Sequence, residues 1–264
     1  MSSFNFYGVK TIFFFELKYF FKEFQYTILA PLINTILFLF IMSVISKNYF
    51  FNGDDISYLE FVLPGIIIMV IMQTSYNHIS ELIINMKQIG SFNDYLMSPM
   101  SRIEIALSFL FTSIVIGFII TIINIFVLSF FISFQLNNLH LLIFHITLTV
   151  IIFTSLGGIT GILSYTWDTQ STISNFVIVP ISFLSGTFFS IDAVNNSWKF
   201  IFYYNPFYYL VNNFRSSFLH DNNENIYSNF YLFLLSLLIL FIFLYIFKKG
   251  YRVRVLDPIW FKED

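Results

Sequence analysis

Apolar runs long enough to cross a bilayer dominate this sequence. At 1.5 Å per helical residue, a hydrocarbon core of about 30 Å takes about 20 residues. Six runs approach or exceed that length, at 28–45, 61–79, 105–131, 141–165, 172–190 and 230–247. Lipid offers no hydrogen-bond partners, so each run must satisfy its own backbone, and helices do that. The chain is therefore expected to be an all-α integral membrane protein of six transmembrane helices, with 1–264 as a single transmembrane domain. Composition agrees: 57% of residues are hydrophobic and 11% charged, where soluble domains carry about 25% charge.

The fifth run has an unusual sequel. Residues 176–189 are almost wholly apolar, and then Gly186 interrupts the pattern. Asp192, Asn195 and Asn196 are too polar for lipid, and 198–210 turns apolar and aromatic again, split by Asn205-Pro206. That second run is too short to cross. A segment that leaves the membrane, re-enters and leaves again survives only where protein or a water-filled cavity covers its broken backbone. A re-entrant helical hairpin between spans five and six, lining or plugging a pathway, is the expectation.

Ahead of the first span, 4–26 is apolar but carries Lys10, Glu16, Lys18, Lys22 and Glu23. Its lysines share one arc of a helical wheel, which suits an amphipathic helix lying in the interface. The same charges break up any cleavable signal peptide. Placement of Lys and Arg orients the spans. With both termini cytoplasmic, the inner side holds Lys10, Lys18, Lys22, Lys87, Arg102, Lys248, Lys249, Arg252, Arg254 and Lys262, and the outer side holds only Lys47, Lys199 and Arg215.

Recognisable catalytic chemistry is largely absent. No Walker-type G-x-x-x-x-G-K-[ST] occurs, so nucleotide binding through a P-loop is excluded. There is no cysteine and the net charge is −2, so neither a disulfide framework nor a nucleic-acid partner is implied. His78 and Glu81 lie three apart but lack a third metal ligand, and read as polar residues near the headgroups. His140 and His145 read as interfacial. No metal and no cofactor are expected. Asp, Glu, Lys and Arg also avoid the middle of every run, whereas proton- and sodium-coupled carriers usually keep one there. Any transport energy must then come from another subunit, acting on a cytoplasmic loop. Residues 93–100, Asn-Asp-Tyr-Leu-Met-Ser-Pro-Met, read as a short amphipathic helix stopped by a proline.

These features together resemble the permease subunits of ABC-2 type exporters, the group that includes bacterial polysaccharide exporters and presumed drug exporters. The resemblance covers nearly the whole chain. It rests on Tyr58-x-Glu60-Phe61-Val62-x-Pro64-Gly65 at span two, Leu96-x-x-Pro99 in the loop and Trp167-Asp168 before span five. It rests further on Gly186-x-x-[aromatic]-Ser190, Trp198, Asn205-Pro206, Tyr209 and Phe214-Arg215 in the last third. Two departures are Tyr95, where the family tends to an aliphatic residue, and Asn93-Asp94, where glutamates are common.

The resemblance implies a multi-pass protein of the bacterial inner membrane that pairs with a second permease, as a homodimer or heterodimer, and docks separate ATP-binding subunits. It implies that Asp94, Tyr95, Leu96, Met97, Ser98 and Pro99 form the ATPase-coupling segment. The hairpin, with Gly186, Trp198, Asn205, Pro206 and Arg215, is implied to be an outer gate. Arg215 is expected to meet Asp192 or a carbonyl near Asn205-Pro206. Aromatics at the outer mouth (Trp198, Phe200, Phe202, Tyr203, Tyr204) either stack on cargo or form an interfacial belt. A secondary transporter and a non-transporting scaffold are the rival classes.

Overall fold

The computed structural model describes residues 4–45, 58–130, 138–191, 194–218 and 226–250. The polar hairpin 47–57, the link at 135–137, Asp192 and the tail beyond Gly250 lie outside them. Among the described residues there are helices and turns but no strands.

Helix α1 spans Phe6–Lys22, its first turn capped by Asn5, whose Oδ1 accepts the Gly8 N–H at 2.9 Å. The helix breaks at Glu23, and a single π turn, Gln25–Leu29, leads into α2, Ala30–Ile45. Next comes α3, Tyr58–Ile89, an unbroken helix of 32 residues, about 48 Å long. It outruns the expected 61–79 by more than two turns. Ile79, Ile83, Ile84 and Met86 are buried, so the polar-looking sequence after residue 79 still has an apolar face to pack.

A turn through Gly90 leads to α4, Phe92–Met97, and Ser101 then opens α5, Arg102–Leu128, with a capping box to Glu104. Helix α6, Leu139–Leu163, runs back. It packs against α3 more extensively than any other pair of helices. Gly157 and Gly161 make that contact possible. A methyl group at Gly157 would collide with the Tyr76 carbonyl oxygen, and one at Gly161 would press Ser80 and Ile83. This is the small-residue stripe through which membrane helices approach closely.

The fifth run departs from expectation. Helix α7, Trp167–Ile173, continues through a π turn, Ser174–Ile178, into α8, Val179–Phe183, and stops there. That rod of about 25 Å is at the lower limit for a crossing, with its start beside Ser80 and the turn after it beside Gly65 of α3. Residues 184–190, Leu-Ser-Gly-Thr-Phe-Phe-Ser, follow it, and there the backbone turns instead of completing the helix. Five helices, not six, are long and apolar enough to cross a membrane among the described residues. The chain returns as α9, Lys199–Tyr204, and α10, Pro206–Ser216, before α11, Ile226–Lys249.

The helices sort their ends. One end gathers the start of α1, α4, the start of α5 and the close of α11, where Asn5 donates to Glu104 at 2.8 Å and Arg102 to the Lys248 carbonyl at 3.0 Å. Lys10, Lys87, Arg102, Lys248 and Lys249 belong to elements meeting there, whereas α1 runs on past Lys18 until Phe20 packs with Val70, Ile116 and Ile120 along the bundle; Lys199 and Arg215 lie toward the other end. Between the ends, α2 exposes Ile33, Leu37, Phe40, Ile41 and Val44, and α11 exposes Phe230, Leu234, Leu238 and Phe241. Hydrocarbon solvates such faces; water does not.

Candidate functional site

Two constellations stand at opposite ends of α3. At the end where α3 begins, the 184–190 turn, α10 and the first two turns of α3 meet around Arg215. Its side chain is 4% exposed. Nε donates to the Phe61 carbonyl at 3.0 Å, and one terminal nitrogen donates to the Gly186 and Thr187 carbonyls at 2.8 and 3.3 Å. The guanidinium carbon sits 3.8 Å from the centre of the Phe61 ring. A planar, weakly hydrated cation with a fork of donors suits this pocket; a compact ammonium does not. The carbonyls it takes are those of the turn and of α3. They are not the carbonyls of Asn205 or Pro206 themselves, and Asp192 lies outside the described residues.

Three residues of α3 receive the turn. The Tyr58 hydroxyl donates to the Phe188 carbonyl at 2.9 Å, Phe61 lies under Arg215, and Gly65 faces Thr187. Positions 58, 61 and 65 share one helical face. A methyl group at Gly65 would stand 2.6 Å from the Thr187 carbonyl oxygen, so only glycine lets the turn dock, while Gly186 turns the chain at φ +76°.

Asn205 caps α10 by accepting the Phe207 N–H at 3.0 Å, with Pro206 in the first helical position. Its amide also donates to the Leu184 carbonyl at 3.4 Å. Gly186, Asn205, Pro206 and Arg215 thus converge. Trp198 does not join them: it precedes α9, 60% exposed, beside the exposed Phe200, Tyr203 and Tyr204.

His145, expected at the interface, is buried. Its ring bonds Asn229 of α11 at 2.9 Å, and Asn213 of α10 donates to that same Asn229 oxygen at 2.7 Å.

The far end of α3 carries the second constellation. Lys87 is buried, and its ammonium donates to the carbonyls of Gly161, Ile162 and Ser164 at 2.8, 2.5 and 3.1 Å, capping the C-terminus of α6. Sequence reasoning placed it as a loop cation; its real position depends on α6 arriving within reach.

Beyond it, α4 is clasped to α1. The Tyr95 hydroxyl donates to Glu16 Oε1 at 3.1 Å, and the Asn5 N–H donates to Glu104 Oε1 at 2.8 Å. Burial pushes the Glu16 carboxyl up to about 7, opposed in part by the Tyr95 hydrogen bond. Burial and the Glu16 charge push the Tyr95 hydroxyl up as well. Leu96 is half-buried and packs inward with Tyr95 and Met100. Ser98 bonds back to the Tyr95 carbonyl at 2.6 Å. Asp94 and Pro99 are exposed, and Met97 projects outward at 84% exposure.

Beside this clasp a cleft of about 320 Å³ opens between the end of α1, the start of α2 and the middle of α3 and α5. His78 lines it, bonded through Nδ1 to Ser113 at 3.2 Å, together with Glu16, Glu23 and Glu81.

Comparison with known proteins agrees with this architecture. The inner membrane transport permease YadH of Escherichia coli K12 is 23% identical over 223 residues, covering 84% of this chain and 87% of the relative. The permease of the same name from Shigella flexneri matches to the same extent. The ABC-2 type transporter family matches residues 7–219, which take in both constellations and every helix from the body of α1 to α10, and the chain belongs to that family.

Proposed function

We propose that this chain is the pathway-forming permease subunit of an ATP-driven exporter in a bacterial inner membrane. It carries no ATP site of its own and pairs with a second permease, identical or homologous. A separate ATP-binding subunit docks on the end bearing α1 and α4, which faces the cytoplasm together with both termini. The segment from the 184–190 turn through α10 is the re-entrant outer gate.

The observation that carries this reading is the α1–α4 clasp with Met97 left projecting. An apolar side chain at 84% exposure on a short helix outside the spans is a contact awaiting a partner. The route from there to the gate is short. Helix α4 follows α3 after a two-residue turn, and α3 is one rigid rod whose opposite end holds the turn through Tyr58, Phe61 and Gly65. Closure of the ATP-binding subunits would displace α4 and α1, tilt α3, and shift its grip on the gate.

Met97→Asp tests this. A charge buried without a partner in the docked interface costs several kcal/mol. The substitution disturbs nothing inside the permease, because Met97 points away from it. Expression, membrane insertion and permease pairing should match the unaltered protein, while ATP-dependent transport in proteoliposomes collapses. Normal transport by Met97→Asp would remove α4 from the coupling role.

A further inference from the structure

We propose that the cleft between α1, α3 and α5 binds an organic cation with an aromatic or alkyl body. Glu23 and Glu81 would neutralise its charge, and Tyr19, Tyr26 and Trp167 would hold its body. This deepens the transport reading above by naming a class of cargo.

The cleft, at about 320 Å³, is large enough for a small organic molecule. Part of its wall is apolar, where Ile116 and Ile120 of α5 pack with Phe20. Elsewhere the wall is aromatic and acidic. Glu81 is exposed on α3, Glu23 is half-buried at the break after α1, and both line the cleft. Among the described residues that line the cleft there is no Lys or Arg.

The third carboxyl, Glu16, is already committed to Tyr95, and the Glu23 carboxylate accepts the neutral hydroxyl of Tyr19. The negative field of Glu23 and Glu81 is therefore not cancelled by a cation among the described lining residues. An anion would be repelled, and a neutral polar ligand would leave the charge uncompensated.

The rings give a second, independent indication. Tyr26 and Trp167 are 78% and 42% exposed, yet both border the cleft. Electron-rich faces beside carboxylates are the chemistry that recognises organic cations. An apolar wall beside a charged one also matches the way a cationic amphiphile lies in a leaflet, body in the hydrocarbon and charge among the headgroups.

The test is equilibrium binding to the full-length permease in phosphatidylcholine nanodiscs. The probes are tetraphenylphosphonium and tetraphenylborate, ions of nearly equal shape and opposite charge. The phosphonium should bind saturably and the borate should not. Glu81→Gln, an isosteric change at an exposed position that leaves folding intact, should weaken phosphonium binding about tenfold. Trp167→Ala should weaken it without altering charge.

Equal binding of both ions, no binding of either, or unchanged affinity in Glu81→Gln would overturn the proposal. Neither ATP nor an ATP-binding subunit takes part in the assay. A negative result therefore removes the cargo class, while Met97→Asp still decides coupling.

Discussion

Replacing Arg215 with lysine keeps the charge and changes the geometry. The guanidinium makes hydrogen bonds to Phe61, Gly186 and Thr187 while lying on the Phe61 ring. An ammonium on a flexible stem reaches one of these carbonyls well and strands the others in a site that is 4% exposed. Two lost bonds to a charged donor, at about 1.5 kcal/mol each, amount to about 3 kcal/mol. For a chain of this size each kcal/mol moves the melting temperature by about 2–4 °C, so the detergent-purified permease should melt on the order of 10 °C lower. Transport in proteoliposomes should fall, because the turn is no longer pinned to α3, while the ATP-binding subunit still co-purifies. If Arg215→Lys melts and transports like the unaltered protein, the residue merely snorkels to lipid phosphate and the gate argument fails.

Leu96→Asp should behave unlike Met97→Asp: Leu96 packs inward, so the charge lands in the permease itself and lowers its melting temperature before any partner binds. Lys87→Met should leave the Gly161, Ile162 and Ser164 carbonyls without their donor and cost about 2–4 kcal/mol of stability, read by thermal unfolding. Glu16 binds its proton more tightly in the folded state than when unfolded, so its contribution to stability falls as pH rises from about 4.5 through about 7. Glu16→Gln should abolish that loss and melt higher than the unaltered protein at pH 8. Because the chain lacks cysteine, single cysteines report topology: at Ser91 or Thr169 they should resist an impermeant reagent in intact cells, and at Asn52 they should react. External labelling at Ser91 would overturn the proposed orientation.

Hydropathy and charge determined much of this protein from the sequence alone. A helix in lipid satisfies its own backbone, so the apolar runs that became α2, α3, α5, α6 and α11 were legible one at a time. The family was legible too, because its motif residues keep their order along the chain. Asn205-Pro206 announced a break in the returning run, and the structure shows that the break is the capped start of α10. The end of α8 at Phe183 was legible only in part: Gly186 marks an interruption, but what holds the turn is a set of contacts, Arg215 on the Gly186 and Thr187 carbonyls, Tyr58 on Phe188 and the bare face of Gly65, all from residues distant in sequence. The same holds for Lys87, which looks like a loop cation until α6 brings its C-terminal carbonyls within reach. Tyr95, a departure from the family pattern, is explained only once Glu16 stands beside it. Glu23 and Glu81 have nothing to do with one another in the sequence. Only the packing of α1 against α5 and of α2 against α3 places them on one cleft, because a cavity belongs to the gaps between helices and not to any helix's own periodicity.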